Sequence, residues 1–411
     1  MSRRRVGYLG LAGLIATAVP LAAPGTTSLV PAAVDDGPAW LRGVYGGGLE
    51  VSDGAYYALL WLAFASYICV VWGAGALDRR LLWGAIVALI AGFALAPPLL
   101  SQDVFSYISY ARLGAEHGLN PYVNVPSDVP ADPALSYANF GDRTSAYGPL
   151  FTLATYPLGL GGVSVALWAL KAAAAASVFG LAALCARIAP GRGVSPARVA
   201  ALVALNPLVL VHVVGGGHND GLMMLLVTLG VAGVLVEADT RAGVALVAAA
   251  AIKISAVFVA PFALLGSSQR ARLIVGVALG LAAIAAMALA QFGLHAFDAV
   301  GLASENQATL NHYSVPSTLS RITGVEANSI RVVALVTYAV LVLYLLRWTW
   351  RGGDWLRAAA WAAIGLLVAS GVLWPWYLIW ALPLVALVDD SLLIGSVLAL
   401  TGFQLNAGIP L

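Results

Sequence analysis

Apolar runs recur along the whole chain, at about 6–23, 55–75, 81–100, 163–187, 197–214, 220–236, 271–292, 330–347, 356–373, 376–388 and 391–409. Most approach the roughly 20 residues that carry a helix across the hydrocarbon core of a bilayer. The pattern predicts an all-α polytopic membrane protein with about 11 full transmembrane helices. Basic residues cluster between the runs, at Arg79 and Arg80, at Arg187, Arg192 and Arg198, at Arg241, at Arg270 and Arg272, and at Arg347, Arg351 and Arg357. The positive-inside rule assigns each of these short loops to the cytoplasm. One thread satisfies them all only if the further run over 241–265 enters the membrane and returns to the same side. A pair of half-helices broken near Lys253 meets that demand, and such breaks occur where the backbone lines a protein cavity and not lipid. The competing reading, one tilted crossing, would turn Arg270 and Arg272 outward. The same parity makes the apolar segment 147–162 an interfacial or partly inserted element. The first run follows Arg3, Arg4 and Arg5 and reads either as a cleaved signal peptide or as a retained span, with its length favouring the span.

Composition agrees with the pattern. Of 411 residues, 61% are hydrophobic and 10% charged, against roughly 45–50% and 25% in soluble globular chains, which excludes a soluble enzyme. The net charge is +2 and the 21 basic residues are scattered, leaving no stripe for nucleic acid. Cys69 and Cys185 lie inside apolar runs without metal or redox spacing and read as packing residues. No repeat of 20–50 residues recurs, and residues 1–411 read as a single membrane-embedded domain.

On this thread the polar chemistry collects on the outer face, in long loops over 24–54, 101–148 and 293–329 and in tight turns at 215–219 and 374–375. The loop 101–148 opens with Asp103 within a turn of the membrane surface, followed on a helical pattern by Tyr107, Tyr110, Arg112, Glu116 and His117, up to a break at Gly118 and Asn120-Pro121. It closes on Tyr147 in SAYGPL. The first tight turn reads VVGGGHNDGLMM. Its glycines admit close backbone approach, and His218, Asn219 and Asp220 either line a pocket or form a solvated turn in which Asn219 or Asp220 caps the next helix. They lack the His-x3-His spacing of a zinc site. Lys253 sits at the expected break and needs a partner or water, whereas Lys171, within a full span, reads as a snorkelling lysine. The loop 293–329 supplies Glu305, Asn306, Asn311, His312, Tyr313 and Arg321, with Arg331 just beyond, and the second tight turn supplies Trp374, Trp376 and Tyr377, either as belt anchors or as ligand contacts.

The stretches DVFSYISYARLGAEHGLNPY, SAYGPL, NPLVLVHVVGGGHNDGLMM, AAIKISAVFVAPFAL, HYSVPSTLS and LWPWYLIW, in this order, resemble the actinobacterial polyprenol-phosphomannose-dependent α-1,6-mannosyltransferases, members of the GT-C class of membrane glycosyltransferases. The chain is shorter than typical members. The resemblance implies a plasma-membrane enzyme with an outer-face active site, a polyprenyl-phosphate-mannose donor, a lipid-linked glycan acceptor and an acidic base in the first large outer loop, the position held here by Asp103. The chemistry expected is a single displacement with inversion. Arg321, Arg331, Lys253 and His312 would meet the donor phosphate, with no obligatory metal, although Asp103 and Asp220 sharing a divalent cation is the alternative. Tyr107, Arg112, Asn120, Tyr122, Tyr147, His218, Asn219, Asp220, Trp374 and Tyr377 would contact sugar or acceptor. Arg321 could instead bind a lipid headgroup or Glu326. A GT-C arabinosyl or glucosyl transferase fits the same topology, and a secondary transporter would share broken helices and a buried lysine.

Overall fold

The computed structural model describes residues 2–25, 28–31, 34, 37–407 and 409, and at 303, 304, 306 and 307 the backbone alone. The side chain of Asn306 therefore lies outside the described residues. Among the described residues the regular elements are all helical, with one isolated bridge between Pro24 and Leu49 and no strand. The chain folds as two compact units, one comprising Met1–Ser145, Thr152–Leu222 and Thr401–Leu411, the other Ala146–Phe151 and Met223–Leu400.

In the first unit, helices α1 (Arg3–Ala22) and α2 (Asp53–Gly73) pack along small residues. A Cβ at Gly10 would stand 2.5 Å from the Ser66 carbonyl oxygen, and one at Gly73 2.5 Å from that of Arg3. Such close approach gives helices in lipid their packing energy where burial from water is not at stake. Three helices follow: α3 (Arg79–Ala94), capped by Asp78, α4 (Asp103–Ala115) and α5 (Pro149–Gly159). With 11 residues, α5 spans about 16 Å at 1.5 Å per residue, too little to cross, in keeping with the parity of the thread. Then come α6 (Gly162–Ile188) and α7 (Pro196–Ala204).

The run 197–214, read from hydropathy as one span, is instead bent by 63° between α7 and a π-helical segment, Val209–Gly215. Asn206-Pro207 makes the bend. Proline has no N–H to donate, and it disfavours the helical conformation of the residue before it. Asn206 replaces what is lost, its Oδ1 accepting from Leu208 N at 2.9 Å and its Nδ2 donating to Thr401 Oγ1 at 3.0 Å.

The remaining helices are α8 (Asp220–Leu235), α9 (Asp239–Ile252), α10 (Ala260–Gly266), α11 (Arg270–Phe292), α12 (Asp298–Ala308), α13 (Val315–Thr323), α14 (Ala327–Trp350), α15 (Trp355–Ala369), α16 (Leu382–Ala386) and α17 (Ser391–Phe403). In the second unit α9 ends where Lys253 takes an extended conformation, φ −153° and ψ 122°. A 3-10 segment, Ile254–Val259, and α10 then return the chain to its starting end. Ser267 donates to Asp239 at 2.5 Å, and Gln269 Nε2 donates to Glu237 at 3.4 Å, so the entry and exit of the segment are neighbours. Helix α11 then runs parallel to α9, with Gly276 against Thr240 and Gly280 against Val247. This is the broken hairpin that Arg241 and Arg270 require, and not a tilted crossing.

Among the described residues, five helical stretches are long and apolar enough to cross a bilayer, or six if the bent pair is one span. Hydropathy alone counts about eleven. The difference arises because prolines and glycines cut the other runs into helices of 16 residues or fewer, such as α8. The run 376–388, for instance, is a 3-10 turn, Pro375–Trp380, followed by the five-residue α16 with Pro383 at its start.

The hairpin has a direct test. In a background with Cys69 and Cys185 replaced, single cysteines at Ala238 and Ser268 should react with an impermeant thiol reagent from the same side of the membrane. Labelling from opposite sides would contradict the return of the chain at Lys253.

Candidate active site

The first unit builds its polar centre around Lys171. The ammonium is fully buried and does not snorkel, contrary to expectation: it donates to the carbonyls of Phe93 at 3.3 Å, Pro97 at 3.4 Å and Gly215 at 2.5 Å. An ammonium has three N–H donors, and here each finds an acceptor. The Phe93 carbonyl belongs to the last turn of α3, at the negative end of the helix dipole, and also accepts from Ala96 N at 3.3 Å, as the Gly215 carbonyl does from Leu99 N at 3.4 Å. One lysine thus ties α6 to the end of α3 and to the glycine turn after the π-helical segment.

That turn carries the next contact. Gly217 has φ +72°, a conformation open to glycine, and a Cβ there would lie 3.4 Å from Lys171 Cγ and 3.3 Å from Val104 Cγ2. A Cβ on Gly216 would lie 2.8 Å from His218 Nδ1. The glycines therefore let the His218 ring fold back on its own turn. His218 is fully buried, and its Nδ1 lies 2.7 Å from the His212 carbonyl oxygen. Its Nε2 lies 3.5 Å from Asp103 Oδ2. Asp103 opens α4, where the helix dipole favours a carboxylate, and its N–H donates to Ser101 Oγ at 3.2 Å. Leu100, just before it, has φ +56°, a strained conformation for a bulky residue and of the kind that gathers at functional sites. Asp103 and His218, 115 positions apart, are thus brought together. Asn219 and Asp220 are buried beside them in the chain, and neither amide atom of Asn219 has a hydrogen-bond partner among the described residues. Asp220 is the first residue of α8.

The remaining loop residues of this unit are held by the loop itself. Arg112 donates from Nε to both Asp132 oxygens at 3.0 Å and from Nη1 to the Gly159 carbonyl at 3.0 Å. His117 Nε2 lies 2.6 Å from Asp132. Burial would raise the Asp132 carboxyl, but the hydrogen bonds from Arg112, His117 and the Ala134 N–H outweigh it and hold the group below the usual carboxylate range. These contacts make Arg112 a clamp on the loop. Tyr107 is buried in α4. Asn120 Oδ1 accepts from Tyr122 N at 3.1 Å, and the Tyr122 hydroxyl donates to Thr152 at 3.0 Å. Burial, with Asp103 as a smaller cause, pushes the Tyr110 phenol upward, so it stays a donor to the Arg143 carbonyl at 3.0 Å.

In the second unit the Lys253 ammonium stands over the rings of Tyr377 at 4.7 Å and Trp380 at 5.5 Å, distances at which a cation is attracted to an aromatic face. From Lys253 a ladder of rings continues: Tyr377 stacks on Trp380 at 4.2 Å, Trp376 meets Tyr377 at 6.0 Å and Trp374 at 5.2 Å, Trp374 meets Tyr313 at 6.3 Å, and Tyr313 meets His312 at 5.3 Å. Trp376 and Tyr377 are buried inside the protein, which sets them apart from belt anchors. At the other end Arg321 Nη1 donates to the His312 carbonyl at 2.8 Å and Nη2 to Thr318 Oγ1 at 3.0 Å. Glu326 is instead the N-cap of α14, bound to Asn328 N and Ser329 N. Arg331 donates to Asn328 Oδ1 at 3.2 Å.

Sequence patterns gave no hint of two latches here. Asn311 pins its loop to the second tight turn through Leu373, donating to its carbonyl at 3.0 Å and accepting from its N–H at 3.2 Å. Gly148, beside Tyr147, donates to the Ile252 carbonyl at 3.1 Å, satisfying one of the groups freed by the break at Lys253, and has no room for a Cβ against Ala251. Among the described residues no group of three or more His, Cys, Asp or Glu side chains gathers as a metal site.

Residues 6–269 match the family model for the N-terminal domain of α-(1→6)-mannopyranosyltransferases. The chain is similar to α-(1→6)-mannopyranosyltransferase A of Corynebacterium glutamicum, at 31% identity over 46% of this chain and 39% of the relative. It is also similar to α-(1→6)-mannopyranosyltransferase A of Mycobacterium tuberculosis, at 29% identity over 63% of this chain and 50% of the relative. The matched region thus spans half or less of these curated relatives. No solved structure matches.

Replacing Lys171 by methionine would keep the volume and take a donor from three buried carbonyls, of which those of Phe93 and Gly215 keep the N–H groups of Ala96 and Leu99. Leaving the Pro97 carbonyl unsatisfied costs about 1–3 kcal/mol, so K171M should lower the thermal midpoint in detergent and reduce any activity that depends on the glycine turn. A K171M protein as stable as the parent would show that the Lys171 contacts do not hold this turn.

Proposed function

Because the chain belongs to the α-(1→6)-mannopyranosyltransferase family, we propose that it transfers a mannosyl residue from a polyprenyl-phosphate-mannose donor to a hydroxyl of a lipid-linked glycan, with inversion, forming an α-1,6 linkage at the outer face of the plasma membrane. The observation that carries the reading is the pairing of Asp103 with the GGGHND turn through His218. A carboxylate at a helix start, partly exposed beside a buried polar cluster, suits a general base. The acceptor hydroxyl becomes more acidic as its bond to the sugar forms, so a carboxylate of ordinary basicity suffices.

In this reading Asn219, whose buried amide offers both a donor and an acceptor, and Asp220 hold sugar hydroxyls. His218, with Nδ1 on the His212 carbonyl and Nε2 toward Asp103, lies next to this pair in the chain. Tyr107, Asn120, Tyr122 and Tyr147 are the residues proposed for the acceptor, and Trp374 and Tyr377 those proposed for contact with sugar. The leaving phosphate gathers charge in the transition state, and fixed cations in a site shielded from water lower that barrier. Arg321 is the principal candidate: its described hydrogen bonds go only to neutral acceptors, so its charge stays available to an anion. Lys253, Arg331 and His312 supply further positive or hydrogen-bonding groups. The runner-up is another GT-C transferase using an arabinosyl or glucosyl phosphate lipid. Membranes given synthetic polyprenyl phosphates bearing mannose, glucose or arabinose decide between them: transfer of mannose alone is expected, and transfer of another sugar in its place would overturn the donor assignment.

Asp103→Asn preserves shape and removes the base. Turnover should fall by about two orders of magnitude or more with donor affinity little changed. Near-parental turnover would make Asp103 structural.

Arg321→Lys keeps the charge and loses the two-pronged geometry. It should cost about 2–4 kcal/mol of transition-state stabilisation, the scale of removing one preorganised donor, read as kcat/KM on the mannosyl donor. Parental kinetics for both Arg321→Lys and Arg331→Lys would leave the phosphate to Lys253 and His312.

A further inference from the structure

We infer that His218 stands behind the base as a proton relay, taking the transferred proton from Asp103 through Nε2. The inference deepens the proposal that Asp103 is the base and rests on it.

The tautomer of His218 follows from geometry. A backbone carbonyl can only accept, so the ring nitrogen 2.7 Å from the His212 oxygen, Nδ1, must carry a hydrogen. In the neutral ring Nε2 then carries none and presents a lone pair toward Asp103 Oδ2 at 3.5 Å. The orientation is fixed by the backbone. The π-helical segment ends at Gly215, the His218 N–H is bound to the Val213 carbonyl at 3.0 Å, and the ring fills the space that a Cβ on Gly216 would need. The ring itself has no exposed surface, whereas the Asp103 side chain is 21% exposed. One member of the pair therefore reaches the reacting groups and the other stands behind it.

The proton path balances. The acceptor oxygen bonds to the sugar carbon as the bond from that carbon to the phosphate oxygen breaks, its electron pair leaving with the phosphate. The acceptor proton passes to the Asp103 carboxylate and from there to Nε2, giving an imidazolium beside a restored carboxylate, with Nδ1–H still on His212. After product leaves, the proton returns through Asp103 to water. Before the reaction the bare Nε2 and the carboxylate are both acceptors, so the pair is drawn together only once it holds the transferred proton.

Asparagine at 218 tests the idea, because its amide nitrogen stands where Nδ1 does and can still donate to His212, while nothing occupies the position of Nε2. For H218N, kcat should fall about ten- to hundredfold with the donor KM within about twofold, and the acidic limb of the kcat–pH profile should move. On the D103N background the same change should slow the residual reaction no further, since both variants remove one linked function. If H218N does not accumulate as folded protein, H218Q, whose amide reaches toward the Nε2 position, is measured for the same profile and coupling. Parental kcat and an unmoved pH profile in the folded variant, or a full additional loss on top of D103N, would overturn the role of His218 while leaving Asp103 as base. An active D103N would instead remove the base assignment, and the inference with it.

Discussion

The first unit depends on a cation placed where apolar surroundings leave it no water. Lys171 is acceptable inside α6 because three carbonyls from two other segments converge on it. Those carbonyls are available because helices end there: α3 stops near Ala94 ahead of Pro97-Pro98, and the π-helical segment stops at Gly215. An unsatisfied ammonium or carbonyl at this depth would each be costly, so the lysine and the chain ends specify one another. The turn held by this arrangement is the one that carries His218, Asn219 and Asp220, and the chain leading away from Pro97 is the one that delivers Asp103. A structural constraint and a chemical site are thus built from the same few peptides.

The second unit solves the same problem differently. Its helix break exposes backbone at Lys253, and the freed carbonyl of Ile252 is taken by the N–H of Gly148 from a distant part of the chain. The ammonium lies over the electron-rich faces of Tyr377 and Trp380. Cation–aromatic attraction is worth about 0.5–2 kcal/mol, enough to orient the lysine. Ring stacking from Trp380 through to Tyr313 then makes the PWY turn and the HY turn one continuous aromatic body, latched by Asn311 onto Leu373. Residues that hydropathy would assign to the lipid interface are in this way drawn inside the protein.

Much of this was legible in the chain, wherever a local rule decided the outcome. The return at Lys253 followed from Arg241 and Arg270 both demanding the cytoplasm, and the end of α4 followed from Gly118 and Asn120-Pro121. The crowding of GGGHND signalled a turn built for close approach, and the thread put Asp103 on the same face, although the role of base came only from a family resemblance. What stayed hidden depended on long-range geometry. Nothing near Lys171 in sequence tells that Phe93, Pro97 and Gly215 will supply carbonyls, so the side chain read as a snorkelling one. The bond from Arg112 to Asp132 was hidden as well, because Asp132 lies in a loop with no periodic signal. The bend after α7 was written in Asn206-Pro207 but was masked by unbroken hydropathy on both sides.

The boundary of the family match sharpens the chemical picture. It ends at residue 269 and so includes Asp103, the GGGHND turn and Lys253, but neither Arg321 nor the aromatic turn at 374–380. The residues proposed for acid–base chemistry therefore lie within the shared domain, while the planar cation proposed for the phosphate lies beyond it. A guanidinium whose described hydrogen bonds all go to neutral acceptors keeps its full charge for an incoming anion, whereas Lys171, with every donor used, has nothing left to offer one. The number and kind of acceptors already engaged separates basic side chains that hold the fold from those with charge to spare, and on that ground Arg321, and not Lys171, is the one proposed for the phosphate.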